Sequence, residues 1–301
     1  MLENELIRLY FYFCECYDSD LQWYCQRFSH NITPKNEKLT DAELLTIYFY
    51  CRRYENKHLK SEIYDYARRY LLSWFPNLLA YANFNHRINN LSSALNGLVA
   101  LQLDKLQTIE NQSIGEISLV DSLPIIMCSG KRQGKVAPEL SDKSYCSTKN
   151  LYYFGVKLHT VAFSRTKQVP LPEFMSITPA SENDLMAIYP ILPQLQNRAI
   201  FADKAYTDKE LNKTLMHEMN TFIYTPIKLV KGESERLRQF KKADNDLFST
   251  AVSTIRQPIE SLFNWLIQKT DIQRASRVRA TAGLMTHIFG AIATALLFWL
   301  F

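Results

Sequence analysis

The 301-residue chain is long enough for one large domain or two ordinary ones, and its 47% apolar content excludes wholesale disorder. Lys and Arg outnumber Asp and Glu by 35 to 30, an excess too mild to indicate a nucleic-acid partner by itself. The first residues include two glutamates, and they show neither the basic flank nor the cleavage site of a secretory signal peptide. We therefore expect no signal peptide.

The six cysteines are scattered and contain no Cys-x-x-Cys pair, so neither a zinc ribbon nor a redox motif is indicated. Cys14, Cys16, Cys25 and His30 could be combined into a metal site. Scattered thiols in a reducing cytosol are the favoured interpretation.

Residues 1–112 are predicted to form a helical region. Thr40 and Glu43 have the spacing of a capping box, which marks the start of a helix. The many aromatic residues of this region favour the core of a helix bundle, although aromatic residues beside arginines can also stack on bases. Apolar residues at helical spacing predict helices over 2–13, 39–54, 61–71 and 85–103.

From about residue 115 the pattern changes to short apolar or alternating runs, and residues 113–301 are expected to form an α/β domain with helices around a mixed sheet. The polar, charged stretch 228–250 is interpreted as a loop. Strands are predicted over 116–125, 151–163, 169–177, 198–203 and 221–227. Helices are predicted over 182–195, with Ser181 as its cap, over 208–219, and over 255–268 with Pro258 in its first turn.

The last 19 residues, 283–301, contain no Asp, Glu, Lys or Arg and are just long enough to span a membrane. A helix in the core of the fold is the favoured interpretation, because this is the one long apolar run in a chain that otherwise resembles a soluble protein. We therefore expect no membrane partner.

Two aspartates occupy matching places in the predicted strands. Asp121 and Asp203 each follow a run of buried strand residues, and functional groups of α/β sheets collect at the carboxyl ends of strands. Neighbouring carboxylates repel each other unless a cation lies between them, and hard oxygen ligands suit Mg²⁺ or Mn²⁺. Glu260 is a plausible third ligand, on the polar side of its helix with Arg256 and Asn264 one turn away on either side.

Each of these residues also has an ordinary structural interpretation. Either aspartate could cap a strand end or a turn, and Arg256 with Glu260 could be an i,i+4 surface pair. The ordered set of Asp, Asp and Glu on strand, strand and helix is what favours a metal site.

Basic residues form several clusters. Residues 228–242 contain six Lys or Arg and two Glu, a net charge of +4, and residues 130–135 are also basic. Such clusters neutralise phosphates, although a solvated charged surface has the same composition. The side chains at 157 and 159 share one strand face and could contact a substrate near the metals or be structural. The predicted DNA contacts are Lys131, Arg132, Lys157, His159, Lys204, Lys241, Lys242, Arg256, Lys269, Arg274, Arg277 and Arg279.

Five stretches together resemble the DDE transposases of bacterial insertion sequences, and within them the insertion sequence 982 family. The resemblance covers roughly residues 115–301 and implies a ribonuclease-H-like fold, in which Asp121, Asp203 and Glu260 are the acidic triad and hold two Mg²⁺ or Mn²⁺ ions. The stretches are VDSLPI (120–125), YFGVKLH (153–159), ITPASENDL (177–185), FADKAY (201–206) and IRQPIESLFNWL (255–266).

The match departs from related transposases around the glutamate. Their signature is Tyr-x2-Arg-x3-Glu-x6-Lys, and Arg256 and Glu260 keep its central part. Ser253 stands in the place of the tyrosine and Ile267 in that of the lysine, with Lys269 two residues later.

The resemblance implies an enzyme of the bacterial cytoplasm that cuts DNA at the terminal inverted repeats of an insertion sequence and transfers the 3′-OH into target DNA. It also implies a homodimer that bridges two ends, with residues 1–112 binding the DNA ends or mediating dimerisation. Two alternatives stay open: an inactive or repurposed DNA-binding protein, and a Mg²⁺-dependent nuclease without strand transfer.

Overall fold

A computed structural model describes residues 2–25, 39–110, 115–131, 136–147, 149–228 and 235–301. It divides the chain into two compact units: unit 1 is Met1–Leu106 together with Leu266–Phe301, and unit 2 is Gln107–Trp265. Residues 266–301, which the sequence assigns to the second domain, group with the first third in this division. The functional boundary between residues 112 and 113 stays a prediction.

The first third is helical as predicted. Thr40 Oγ1 accepts a hydrogen bond from Glu43 N at 3.1 Å, and Glu43 Oε2 accepts one from Thr40 N at 2.7 Å, so the capping box is present. The predicted helix over 85–103 is interrupted at Leu91. In order, the elements are α1 (Leu2–Cys16), a π-helical turn (Tyr17–Leu21), α2 (Gln22–Cys25), α3 (Asp41–Arg53), α4 (Lys60–Tyr70), α5 (Tyr81–Asn90) and α6 (Ser92–Glu110).

The apolar C-terminal segment forms α11 (Thr281–Leu300). Among the described residues it is the one helix long and apolar enough to cross a membrane, but 72% of its most apolar window is buried inside the protein. It packs against α3 and α5, and a Cβ at Gly290 would overlap Tyr48 Oη. A helix covered in this way is a core helix of unit 1, and no membrane protein is indicated.

The described part of unit 2 contains a six-stranded mixed sheet. Strand β3 pairs antiparallel with β1, β2 and β4, whereas β1 pairs parallel with β5 and β5 parallel with β6. The predicted mixed sheet with flanking helices is therefore confirmed, and it is consistent with a ribonuclease-H-like fold. The strands are β1 (Ile117–Ser129), β2 (Asp142–Cys146), β3 (Leu151–Phe163), β4 (Leu171–Pro179), β5 (Ala199–Phe201) and β6 (Phe222–Tyr224).

Strands β2 and β4 lie end to end along one edge of β3. Asp142 of β2 is opposite Gly155, and Pro179 of β4 is opposite the next residue, Val156. Gly155 is required because the carbonyl oxygen of Ile125 lies where any Cβ would be. The sequence did not predict β2, since its five residues are mostly polar.

The helices of unit 2 follow the strands. One face of the sheet carries an apolar core that includes Val120, Val161 and Ile200 packed with Leu185 and Leu215 from the helices. The elements are α7 (Asp184–Ile188), a 3₁₀ helix (Tyr189–Gln194), a 3₁₀ turn (Lys204–Tyr206), α8 (Lys209–Met219), α9 (Glu235–Arg256) and α10 (Pro258–Thr270).

The cap of α7 differs from the predicted one. Asn183 Oδ1, not Ser181, accepts the hydrogen bond from Leu185 N at 2.9 Å. Ser181 instead donates its backbone N–H to Asp142 Oδ1 at 2.8 Å. The predicted helix over 182–195 turns into a 3₁₀ helix at Tyr189, because the two prolines within 189–194 have no N–H for α-helical bonds.

The predicted loop over 228–250 is wrong from residue 235 onward, because Glu235–Arg256 is a 22-residue helix. Its dense charges conceal apolar residues at helical spacing. The helix predicted over 255–268 begins at Pro258, whose fixed φ and missing N–H suit a first helical position. Arg256 therefore ends α9 and Glu260 lies in the first turn of α10, on two successive helices.

Candidate active site

Asp121 and Asp203 are brought to equivalent places on neighbouring parallel strands. The ladder pairs Ile117–Leu119 with Ala199–Phe201, and each aspartate lies two residues beyond the last pair. Asp121 is still within β1, whereas β5 ends at Phe201 and Asp203 lies just past it. The parallel pairing therefore brings the two predicted metal ligands to the same end of these two strands.

Arg256 links Asp121 to Glu260. Its Nη1 donates a hydrogen bond to Asp121 Oδ2, and its Nη2 donates one to Glu260 Oε1 at 3.1 Å. The side chains of Arg256 and Asp121 are 17% and 20% exposed, whereas Glu260 is 56% exposed. The i,i+4 contact between Arg256 and Glu260 is therefore present. Arg256 is mostly covered, however, and it has a second, more buried partner in Asp121.

The environment of Asp121 disfavours its charge. Burial raises the pKa of the Asp121 carboxyl to about 6; the Arg256 charge and the Ser122 N–H oppose the shift, and the charges of Asp203 and Asp184 add to it. Burial without full compensation and two further acids nearby are conditions that a bound cation would relieve.

Asp203 also fulfils the structural role that the sequence left open. Its Oδ1 accepts a hydrogen bond from Ala205 N at 2.7 Å and caps the 3₁₀ turn that follows β5. The cap uses one carboxylate oxygen, so the other remains available for a ligand.

The donor types around Asp121 suit a hard cation. Thr160 lies directly across from Asp121 in the β1–β3 ladder, and its buried hydroxyl has no hydrogen-bond partner. The buried Tyr206 hydroxyl has none either. Burial raises the pKa of Tyr206, and the charges of Asp184, Asp121 and Asp203 add to the shift. Carboxylates beside unsatisfied hydroxyls fit a Mg²⁺ or Mn²⁺ ion and its waters. Across the described part of the chain, however, no three His, Cys, Asp or Glu side chains are grouped closely enough to hold an ion.

The cysteines give no metal centre in the described ranges either. None of the six forms a disulfide, and Cys14, Cys16 and Cys25 are not part of a group of three or more metal-ligand side chains. His30, the fourth member of the alternative site, lies outside the described residues.

Lys157 and His159 are brought to Asp184 instead of Asp121. Lys157 Nζ donates to Asp184 Oδ1 at 3.0 Å, and His159 Nδ1 lies 3.7 Å from the same oxygen. His159 is opposite Ser122 in the β1–β3 ladder, so it faces the side of the sheet away from Asp121. Burial lowers the pKa of His159 to about 4, which leaves the ring neutral at pH 7. Their role in binding DNA stays a prediction.

The other basic residues are divided between the two units. Lys204 and Arg256 line an open polar cleft of about 740 Å³ beside Glu260, together with Ser249, Thr250 and Ser253 of α9. Lys241 and Lys242 are exposed on α9, and Lys131 is exposed after β1. Arg132 lies outside the described residues. In unit 1, Lys269 lies over the Phe298 ring, and Arg274, Arg277 and Arg279 are exposed.

Asp184 and Thr160 were not among the predicted site residues. Asp184 follows a helix cap and looks like an ordinary first-turn acid, and Thr160 looks like a strand residue. Their proximity to the site depends on contacts between segments 39 residues or more apart in the chain, for which the local sequence carries no signal.

A comparison with protein families matches residues 112–298 to the family described as "Transposase DDE domain". Neither the curated proteins nor the solved structures gave a match. The matched region includes all three predicted acids and spans well over half of the chain. The chain therefore belongs to the transposase DDE domain family.

Proposed function

We propose that this chain cuts DNA at the ends of an insertion sequence and joins the freed 3′-OH to target DNA. Family membership supports a transposase-type function. The observation that carries the finer proposal is the shared register of Asp121 and Asp203, with Glu260 tied to Asp121 through Arg256.

The proposed reaction has two phosphodiester exchanges. In the first, a water oxygen attacks phosphorus at the end of the insertion sequence, the bond from phosphorus to the 3′ oxygen breaks, and a 3′-OH and a 5′-phosphate result. In the second, that 3′-OH attacks a phosphodiester of target DNA, and a target 3′-OH leaves. The proton of each nucleophile is ultimately taken up by the leaving oxygen or by solvent. Because water and the 3′-OH attack phosphorus directly, no Ser or Tyr nucleophile is needed.

Asp121, Asp203 and Glu260 are proposed to hold two divalent cations, Mg²⁺ or Mn²⁺, which when bound would activate the attacking oxygen and neutralise the leaving one. Arg256 is proposed to contact the scissile strand, since its planar guanidinium can grip a phosphate with two hydrogen bonds. Lys204 lines the same cleft and can add a phosphate contact.

The remaining assignments follow the resemblance. DNA is the expected substrate, with the basic residues of α9 and of 274–279 along its backbone and residues 1–112 at the insertion-sequence ends. A homodimer, a cytoplasmic location and membership of the insertion sequence 982 group are proposals of the same kind.

The test is incubation of the purified chain with DNA of the insertion-sequence end and Mg²⁺, with cleavage and joining scored in one reaction. The proposal expects both products. Cleavage without joining would identify a nuclease, and end-binding without cleavage would identify a DNA-binding protein.

A further inference from the structure

Helix α9 presents an apolar stripe to solvent. Phe240 is 84% exposed, Leu247 73%, Phe248 40% and Ile255 37%. Their spacing of seven, one and seven residues places all four on one side of the helix, with the exposed Ala251 between them. The buried Val252 lies one turn from both Phe248 and Ile255, at the border of the stripe, and the polar residues of the cleft lie beyond it.

The size of this stripe is that of an interaction surface. The four side chains offer about 400 Å² of apolar surface, and patches of this size on monomers are often functional. Two copies would bury about 800 Å² from the stripe alone, and the polar residues that flank a 22-residue helix would bring the total close to the ~1,000 Å² of a specific interface.

The order of residues along the stripe is symmetric. Reversing the helix about the midpoint between Leu247 and Phe248 exchanges these two residues, and it also exchanges Phe240 with Ile255. An antiparallel copy of the same helix would therefore place each of the four apolar side chains opposite another of them. This symmetry is what a twofold interface between identical chains requires.

Charge also favours the antiparallel direction. Asp244 lies on the stripe, and in a parallel pair it would face Asp244 of the second copy, a repulsive contact. In the antiparallel pair it faces Ala251.

We propose that α9 is a dimerisation helix that pairs antiparallel, through Phe240, Leu247, Phe248 and Ile255, with α9 of a second copy of this chain. The inference adds the surface and the direction of pairing to the homodimer proposed above, and it does not depend on the proposed DNA chemistry. The same pairing places the C-terminal end of each α9, which carries Arg256, beside the basic half of the other.

The first test is sedimentation velocity of the full-length chain over a concentration series. The wild type is expected to form a dimer, and Leu247→Glu is expected to weaken it at least tenfold. The matched control is Met216→Glu on α8, since Met216 is 54% exposed and lies off the stripe. A monomeric wild type, or a Leu247→Glu variant that dimerises as the wild type does, would overturn the proposal.

The second test fixes the direction of pairing by disulfide formation. A tagged Asp244→Cys chain is mixed with an untagged Ala251→Cys chain under mild oxidation, and the mixture is expected to form a cross-linked dimer. Either variant alone is expected to show no more cross-linking than the wild type, whose native cysteines set the background. Cross-linking of Asp244→Cys with itself above that background would contradict the antiparallel arrangement.

Discussion

Arg256 donates hydrogen bonds to Asp121 and to Glu260 at the same time, through two different nitrogens of one guanidinium. Asp121 belongs to β1 and Glu260 to the first turn of α10, and Gln257 separates Arg256 from that helix. Arg256 thus compensates the charge of two acids that are proposed to hold cations. The proposed contact of Arg256 with the scissile strand would require its guanidinium to leave at least one of these acids.

Arg256→Ala should lower the cleavage rate at saturating DNA at least about tenfold, equal to about 1.4 kcal/mol, whereas an exposed ion pair contributes only about 0.3–0.5 kcal/mol. Arg256→Lys should recover part of the rate, because an ammonium keeps the charge but not the two parallel hydrogen bonds. Lys213→Ala, which breaks an exposed pair with Glu210 on α8, is the control and should be silent. Wild-type rates for both Arg256 variants would show that Arg256 has no part in the cleavage step.

Removing the guanidinium should also change cation binding without DNA. Arg256→Ala leaves Asp121 and Glu260 without their compensating charge, so Mn²⁺ should bind several-fold more tightly than to the wild type. Electron paramagnetic resonance of free Mn²⁺ in a titration measures this directly. Weaker binding by the variant would mean that Arg256 holds the two acids in place for the ion.

The packing of α11 on α3 depends on Gly290. In Gly290→Ala the added Cβ overlaps Tyr48 Oη, and overpacking of this kind costs about 1–3 kcal/mol of unfolding free energy. Gly283→Ala on the same helix is the matched control, since its Cβ would lie 3.6 Å from the nearest atom, Val278 Cγ1. Urea unfolding of both variants makes the comparison; equal stabilities would show that α11 does not pack closely there.

His287 should make unit 1 sensitive to acid. The pKa of the His287 ring is lowered to about 4, mainly by burial. The bond to the Ile272 carbonyl opposes this shift, and the charges of Arg52, Lys60 and His58 add to it. Between pH 6.5 and about 4 the unfolded chain binds a proton that the folded chain does not, so stability falls as the pH falls, by an amount of the order of 3 kcal/mol.

The measurement is the free energy of unfolding at pH 7 and at pH 4.5. His287→Gln keeps a donor for the Ile272 carbonyl and should flatten the difference between the two pH values. His86→Gln, at an exposed position on α5, should leave it unchanged. An identical pH dependence in wild type and His287→Gln would remove His287 as its source.

Several features could be predicted because their causes are local. The capping box at Thr40 needs residues three apart, and the apolar composition of 283–301 suffices for a buried helix. The order of Asp121, Asp203 and Glu260 along strand, strand and helix was visible in the sequence, although whether they act together is still a prediction.

Other features depend on pairing between distant segments. The local period places Lys157 and His159 on one face, but only the register with β1 shows that Asp121 lies on the other face. The charges of 235–242 concealed α9, because its apolar stripe faces solvent and does not follow the pattern of a core helix. The break before Pro258 separated Arg256 from the helix of Glu260, yet their side chains still meet.

The most direct test of the acidic site is Mg²⁺-dependent cleavage of end DNA by Asp121→Asn, Asp203→Asn and Glu260→Gln beside the wild type, with end-binding measured in the same samples. Each amide keeps the shape of its side chain but loses the charge that a cation needs. Glu210→Gln, an exposed acid on α8, is the control. We expect cleavage by each of the three variants to fall to background while end-binding persists; wild-type-like cleavage by any of them would contradict the place of that residue in the site.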